Sequence, residues 1–136
     1  MEAWAPFAFA YLAEAFETVG QIDEASKLLN DALQITERTG ARWFAAELNR
    51  RKGQLLLRQG HSEAAEQLYL TALGIAREQE AKLWELRAAF SLARLWGEQS
   101  RRAAAHDLLA SVYGRFTEGF DKPDLTEAKA LLDDLV

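Results

Sequence analysis

From Leu12 to Ile35 apolar residues return every three or four positions, at Leu12 and Phe16 and then at Ala25, Leu28, Leu29, Ala32, Leu33 and Ile35, with Gly20 between the two runs. That spacing places each run on one face of a helix, so the segment predicts two amphipathic helices joined by a tight turn. The arrangement recurs at a step of 40 residues: small residues at Ala13, Gly53 and Ala93, turn residues at Gly20, Gly60 and Ser100, and alanines at Ala25, Ala65 and Ala105. The same step links Leu28, Leu68 and Leu108, then Ala32, Ala72 and Val112, then Phe16, Leu56 and Trp96, and the large aromatics Trp4, Phe44 and Trp84.

The pattern predicts helices over residues 6–19, 23–39, 43–59, 63–79, 83–99 and 103–117. Asp23 and Glu63, just past a turn, complement the positive end of the helix that follows. Gly20 and Gly60 suit the left-handed conformation that closes the preceding helix, and Ser100 suits it less. Small residues facing each other across the turn (Ala13 with Ala25, Gly53 with Ala65, Ala93 with Ala105) let the two helices approach closely. A larger residue at Ala65 costs about 1–3 kcal/mol by overpacking. A helix pair cannot bury both of its apolar faces alone, so pairs stack and share one continuous core. The expected fold is all-α: a short curved α-solenoid of three helix pairs near 6–45, 46–85 and 86–122, in one domain spanning 1–136.

The tail "FDKPDLTEAKALLDDLV" breaks the period. Pro123 ends the preceding segment, and Asp124 followed three residues later by Glu127 resembles a capping box, which predicts a seventh helix over 124–135. Its stripe of Leu125, Ala128, Leu131, Leu132 and Leu135 reads as a cap on the last pair.

These residues resemble the tetratricopeptide repeat. In that family's 34-residue pattern a bulky residue, a Leu, a small residue, an aromatic, a turn Gly, an Ala, an aromatic or Leu and another Ala follow in order. Phe9, Leu12, Ala13, Phe16, Gly20, Ala25, Leu29 and Ala32 match in the first copy; Gly53, Leu56, Gly60, Ala65, Tyr69 and Ala72 in the second; Leu92, Ala93, Trp96, Ala105 and Leu109 in the third. The departures are the longer period, Asn49 and Lys52 at normally apolar positions, Ser100 for Gly and Val112 for Ala. The added residues lengthen the helices of each pair by about 9 Å in total. The stretches "AELNRRKGQLLL", "ELRAAFSLARLW" and "LLASVYGRFTEGFDKPDLTEAKALLDDL" further resemble the C-terminal repeat region of bacterial proteins that begin with a class III adenylate/guanylate cyclase domain and continue with an AAA-type signalling ATPase. That likeness implies that the chain is the terminal piece of a larger signalling protein. None of the cyclase or ATPase motifs falls within it.

Composition narrows the chemistry. The chain has 136 residues, 49% hydrophobic and 27% charged, which suits one soluble domain. It has no cysteine, hence no disulfide, thiolate nucleophile or Cys-type zinc site, and the cytoplasm is the expected compartment. The apolar start lacks a basic leader and is interrupted by Glu14, so neither a signal peptide nor a membrane span is expected. A net charge of -5 argues against nucleic acid as the partner. The eight glycines stand singly, outside any phosphate-cradling loop. His61 and His106 have no ligand spacing around them, and no metal or cofactor is expected. His106 and Asp107, one apart on a helix, point about 100° away from each other and cannot form a triad with Ser111. Acid pairs such as Glu14/Glu17 and Asp133/Asp134 read as solvated faces, and Trp4, Phe44, Trp84 and Trp96 as packing residues. An enzyme is therefore not expected.

One constellation stands out. In tetratricopeptide solenoids the first helix of each pair lines the concave groove. Its outward positions here are Phe7, Ala10, Glu14 and Glu17; then Glu47, Arg50, Arg51, Gln54 and Arg58; then Arg87, Phe90, Arg94 and Glu98. Five arginines converge in an acidic chain, and the guanidinium fork suits carboxylate or phosphate. Arg50, Arg51, Gln54, Arg58, Arg87, Phe90 and Arg94 are thus the candidate binding residues, for an acidic segment of a partner protein or for another domain of the parent chain. The competing expectation is that Glu47 and Glu98 absorb the arginines by pairing along the helix surface. A second function, a small-molecule-sensing arm of a cyclase or signalling ATPase, predicts a deep pocket around Phe90. Self-association is expected through an apolar face left open on the first pair.

Overall fold

The structure, a computed structural model, describes residues 5–40 and 42–136, with side chains from residue 8 onward. Trp4 and the side chain of Phe7 lie outside the described residues. Seven helices follow in order: α1 (Ala5–Thr18), α2 (Ile22–Thr39), α3 (Ala45–Arg58), α4 (Ser62–Glu78), α5 (Lys82–Glu98), α6 (Arg102–Tyr113) and α7 (Pro123–Leu135). Each odd helix packs antiparallel on the next even one, α2 and α4 hand on to the following pair, and the first helices touch one another, α1 on α3 and α3 on α5. The result is the all-α solenoid of three pairs with a closing helix.

The turn chemistry is the same in every pair. Gly20, Gly60 and Ser100 have φ of 84°, 87° and 65°. The amides of Gln21, His61 and Arg101 donate to the carbonyls of Phe16, Leu56 and Trp96 at 2.8, 2.9 and 2.8 Å, and those of Gly20, Gly60 and Ser100 to Glu17, Leu57 and Gly97. This is the Schellman closure, which satisfies carbonyls left over at a helix end. The links between pairs use the left-handed region too, at Gly40 with φ 73° and, one period on, at Glu80 with φ 53°.

Small residues seat the helices of each pair against each other: Ala13, Ala25, Ala65, Ala93 and Ala105 are all at most 3% exposed. Gly53 is the tightest of these positions. A Cβ there would lie 2.7 Å from Cε1 of Tyr69 and 3.3 Å from the carbonyl oxygen of Ala65. Its counterparts Ala13 and Ala93 keep their methyl groups because Leu29 and Leu109 stand where α4 has Tyr69.

Three expectations need correction. α6 stops at Tyr113, four residues early: Gly114 weakens the helix, and Arg115 and Phe116 donate instead to Val112 and Tyr113, three residues back, at 3.2 and 3.1 Å. The capping box at Asp124 does not form. Pro123 opens α7, Lys122 holds the cap position without a side-chain cap, and the Asp124 carboxylate is taken by Arg87. Nor is the core one continuous cluster. One group of buried side chains joins α1, α2 and α3, another joins α4 to α7 with Leu56 and Leu57 of α3 packed on it, and a small one of Ala45, Ala46, Ile75 and Ala76 lies between, with Trp84 packed on it and on the first group. The break falls where α3 carries Asn49 and Lys52 at normally apolar positions. Asn49 there donates to the Ala45 carbonyl at 2.9 Å.

α7 packs against both α5 and α6. It lies one period after α5: Leu48, Ala88 and Ala128 correspond, as do Leu55, Leu95 and Leu135, and all six are buried. The tail therefore keeps the step of the repeats on its buried face and occupies the place of a further first helix.

Two predictions follow from the backbone. Replacing Ser100 or Glu80 by glycine relieves a left-handed non-glycine residue and raises stability by about 0.5–1 kcal/mol each, measured by urea denaturation. Gly53→Ala lowers it by about 1–2 kcal/mol, because overpacking against Tyr69 exceeds the helical gain. Tyr69→Leu, which copies the other two pairs, removes that loss, and a double-mutant cycle reads the coupling.

Candidate functional site

The inner face of the solenoid is formed by α1, α3, α5 and α7, each touching the next. Two shallow concavities open on it. The first, about 370 Å³, lies between α1 and α3 and is lined by Ala10, Ala13, Glu14, Glu17, Thr18, Leu29, Arg50, Arg51, Gln54 and Arg58. The second, about 320 Å³, lies between α3, α5 and α7 and takes in Glu47, Arg50, Arg51, Gln54, Arg87, Phe90, Ser91, Arg94, Asp124 and Glu127. All seven candidate residues thus line one or both hollows.

Glu47 was expected to point outward; it is 1% exposed and sits beneath the arginines. Arg50 donates through Nε and Nη2 to its two oxygens at 2.5 and 2.9 Å. Arg87 donates through Nη1 at 3.0 Å, and Nε of Arg51 stands 3.7 Å away. Burial by itself raises the pKa of this carboxyl, but the hydrogen bonds from Arg50 and the fields of Arg50, Arg51 and Arg87 outweigh it and hold the group below the ordinary glutamate range. Arg87 reaches a second acid, donating through Nε and Nη2 to Asp124 at 3.2 and 3.1 Å. Burial opposes its charge, yet the bonds to Asp124 and Glu47 push its pKa above the usual arginine value.

Arg51 and Arg58 pair across helices as well. Arg51 donates to Glu14 at 3.0 Å and to the Ala10 carbonyl at 3.3 Å, and Arg58 to the carboxylate of Glu17 at 3.1 Å. Each of these bonds ties one first helix to the next. The pairing expected along the helix surface is therefore real at Glu47, but most partners come from a neighbouring helix. Among the described residues Glu98 has no ion pair. Arg94 has no carboxylate partner among them either; its guanidinium lies 5.6 Å from the centre of the Phe90 ring.

The family profile described as tetratricopeptide repeat matches residues 7–78, more than half of the chain. The chain belongs to the tetratricopeptide repeat family. Such repeats generally mediate protein–protein interaction and are generally non-catalytic. Among solved structures, BtubC (BKLC) from P. vanneervenii superposes with a TM-score of 0.77 at 16% identity, covering 99% of this chain and 63% of that one. At that identity the likeness speaks for the fold alone, and this tetratricopeptide chain spans less than two thirds of its structural neighbour. No curated protein matches it.

The other residues weighed in the sequence fall into plain structural places in the tetratricopeptide frame. His106 and Asp107 stand 3.8 Å apart at the surface, too far for a hydrogen bond, and Ser111 donates to the Leu108 carbonyl at 2.8 Å. Phe44 is buried and meets Trp84 edge-on at 5.5 Å. Trp96 donates through Nε1 to Glu66 at 3.1 Å, under the guanidinium of Arg101. Among the described residues no helix is long and apolar enough to cross a membrane. Asp124, with Ser91 and Glu127 beside it, is a groove residue that sequence reasoning missed. A search for opposite charges about one period apart exposes the ladder, since Glu47 and Arg87 are 40 residues apart and Arg87 and Asp124 are 37.

The stabilising effect of a carboxylate with a lowered pKa is present above the ordinary glutamate value of about 4.3 and is lost as pH falls through the folded-state value. Glu47→Gln leaves three arginines facing a neutral amide. It costs about 1–3 kcal/mol at pH 7. The difference from the parent protein shrinks as pH drops below about 4, in denaturation curves recorded across that range.

Proposed function

We propose that the chain holds a segment of a partner protein along its concave face, with an acidic side chain or C-terminal carboxylate of that segment anchored at Arg94. The observation that carries this reading is that Arg94 alone of the five groove arginines has no carboxylate partner among the described residues. Gln54 and Ser91 border the same hollow and offer further hydrogen bonds. Arg50, Arg51, Arg58 and Arg87 set the shape of the groove through their ion pairs rather than waiting for a ligand. The hollow around Phe90 is shallow and polar, which weighs against a deep aromatic pocket for a small molecule there.

The likeness to the repeat region of cyclase–ATPase proteins supports a partner within a larger parent chain, whose activity this module regulates by docking. Self-association has its own support in α1, where Tyr11 and Leu12 are 57% and 48% exposed, while Leu92, the counterpart of Leu12, is fully buried in the core shared by α4 to α7.

The test is an affinity pull-down from the native host's lysate, with Arg94→Glu beside Arg94→Lys. Loss of the captured partner by about tenfold or more with Glu, and retention with Lys, is expected for a charged anchor. A partner held equally by both variants removes Arg94 from the site.

A further inference from the structure

We propose that a second site, apart from the groove, lies where the start of α5 meets the α6–α7 loop, and that it takes an amphipathic monocarboxylate with an aliphatic or aryl body. A cleft of about 540 Å³ opens there, with Lys82 and Leu83 on one side and Phe116, Gly119, Lys122 and Leu125 on the other. Its volume is that of a small-molecule site, and its lining, unlike that of the groove hollows, is mainly apolar. Leu83 is left 43% exposed in the first turn of α5, an uncovered apolar side chain beside the cleft.

The charges around it select an anion. Lys82 is the first residue of α5 and Lys122 the cap residue of α7, so two helix N-termini, each carrying a lysine, converge on one hollow. A cation at that end opposes the helix dipole, and an anion between the two relieves both. Neither lysine has a carboxylate within 4.0 Å among the described residues. The other charged groups of the lining are engaged elsewhere: Arg115 donates to Glu85 at 2.7 Å, and Asp124 is held by Arg87. Glu118 is the remaining acid, which leaves the cleft one positive charge in excess. One negative charge on an apolar body matches it, and a phosphate dianion matches the apolar floor poorly. The carboxylate lies at the lysines, and the body lies against Leu83, Phe116 and Leu125. Lys82 and Lys122 do not line the groove, so this site stands or falls independently of the partner reading.

The probes are octanoate and 3-phenylpropanoate, each compared with its primary amide, titrated into the full chain and followed by ¹H–¹⁵N NMR. Saturable shifts are expected at residues 82–83 and 116–125, with binding about tenfold weaker for the amide. Lys82→Glu/Lys122→Glu abolishes the shifts, and Arg94→Glu leaves them in place. The proposal is overturned by the absence of saturable shifts with both acids, by equal binding of acid and amide, by shifts centred on the arginine groove, or by shifts that survive the double lysine reversal.

Discussion

Each helix pair is held together where its two backbones come close enough to leave room for a methyl group or less. Gly53 against Ala65 shows that distance in the middle pair, and buried Ala13, Ala25, Ala93 and Ala105 hold the equivalent positions in the other two, with larger side chains around them. Because the second helix occupies one side of the first so completely, the opposite flank of the first helix is free to face the next pair and the inner surface. The left-handed turn residue is part of the same constraint, since it reverses the chain within a few residues of the close contact.

On that scaffold the inner face is organised by an acid rather than by the arginines. A lone buried carboxylate is costly, and Glu47 is tolerated because Arg50 and Arg87 hydrogen-bond both of its oxygens. The arrangement fixes the arginines in turn, orienting guanidinium groups that would otherwise sample many rotamers. Most of the positive charge that the sequence concentrates in the groove is thus met within the protein, and Arg94 is the groove arginine without a carboxylate partner among the described residues.

The pattern of apolar residues made the pairs, their period and the turn positions legible, because burial and backbone handedness act on residues close together in the chain. Left-handed Glu80 was missed, although Gly40 stands one period before it and shares its conformation. Which acid would meet which arginine was legible only in part. Helical spacing shows the partners along one helix, as for Glu47 and Arg50, and is silent about the neighbouring helix that supplies Glu14, Glu17 and Asp124. The segment after α6 was least legible. Its path depends on Gly114 ending the helix, a local effect, and on the bond between Arg87 and Asp124 at the start of α7, which joins residues 37 apart in sequence.

The two ends of the solenoid are chemically unlike. α1 turns Tyr11 and Leu12 outward, with Val19 exposed in the turn after it, whereas α7 exposes Glu127, Lys129, Asp133 and Asp134, with Lys129 bonded to Asp133. Stacking head to tail would press an apolar surface on a charged one, and that is the heterologous contact by which repeat stacks propagate into open fibres. The polar outer face of the half-pair at α7 stays wetted instead of seating an apolar helix against it.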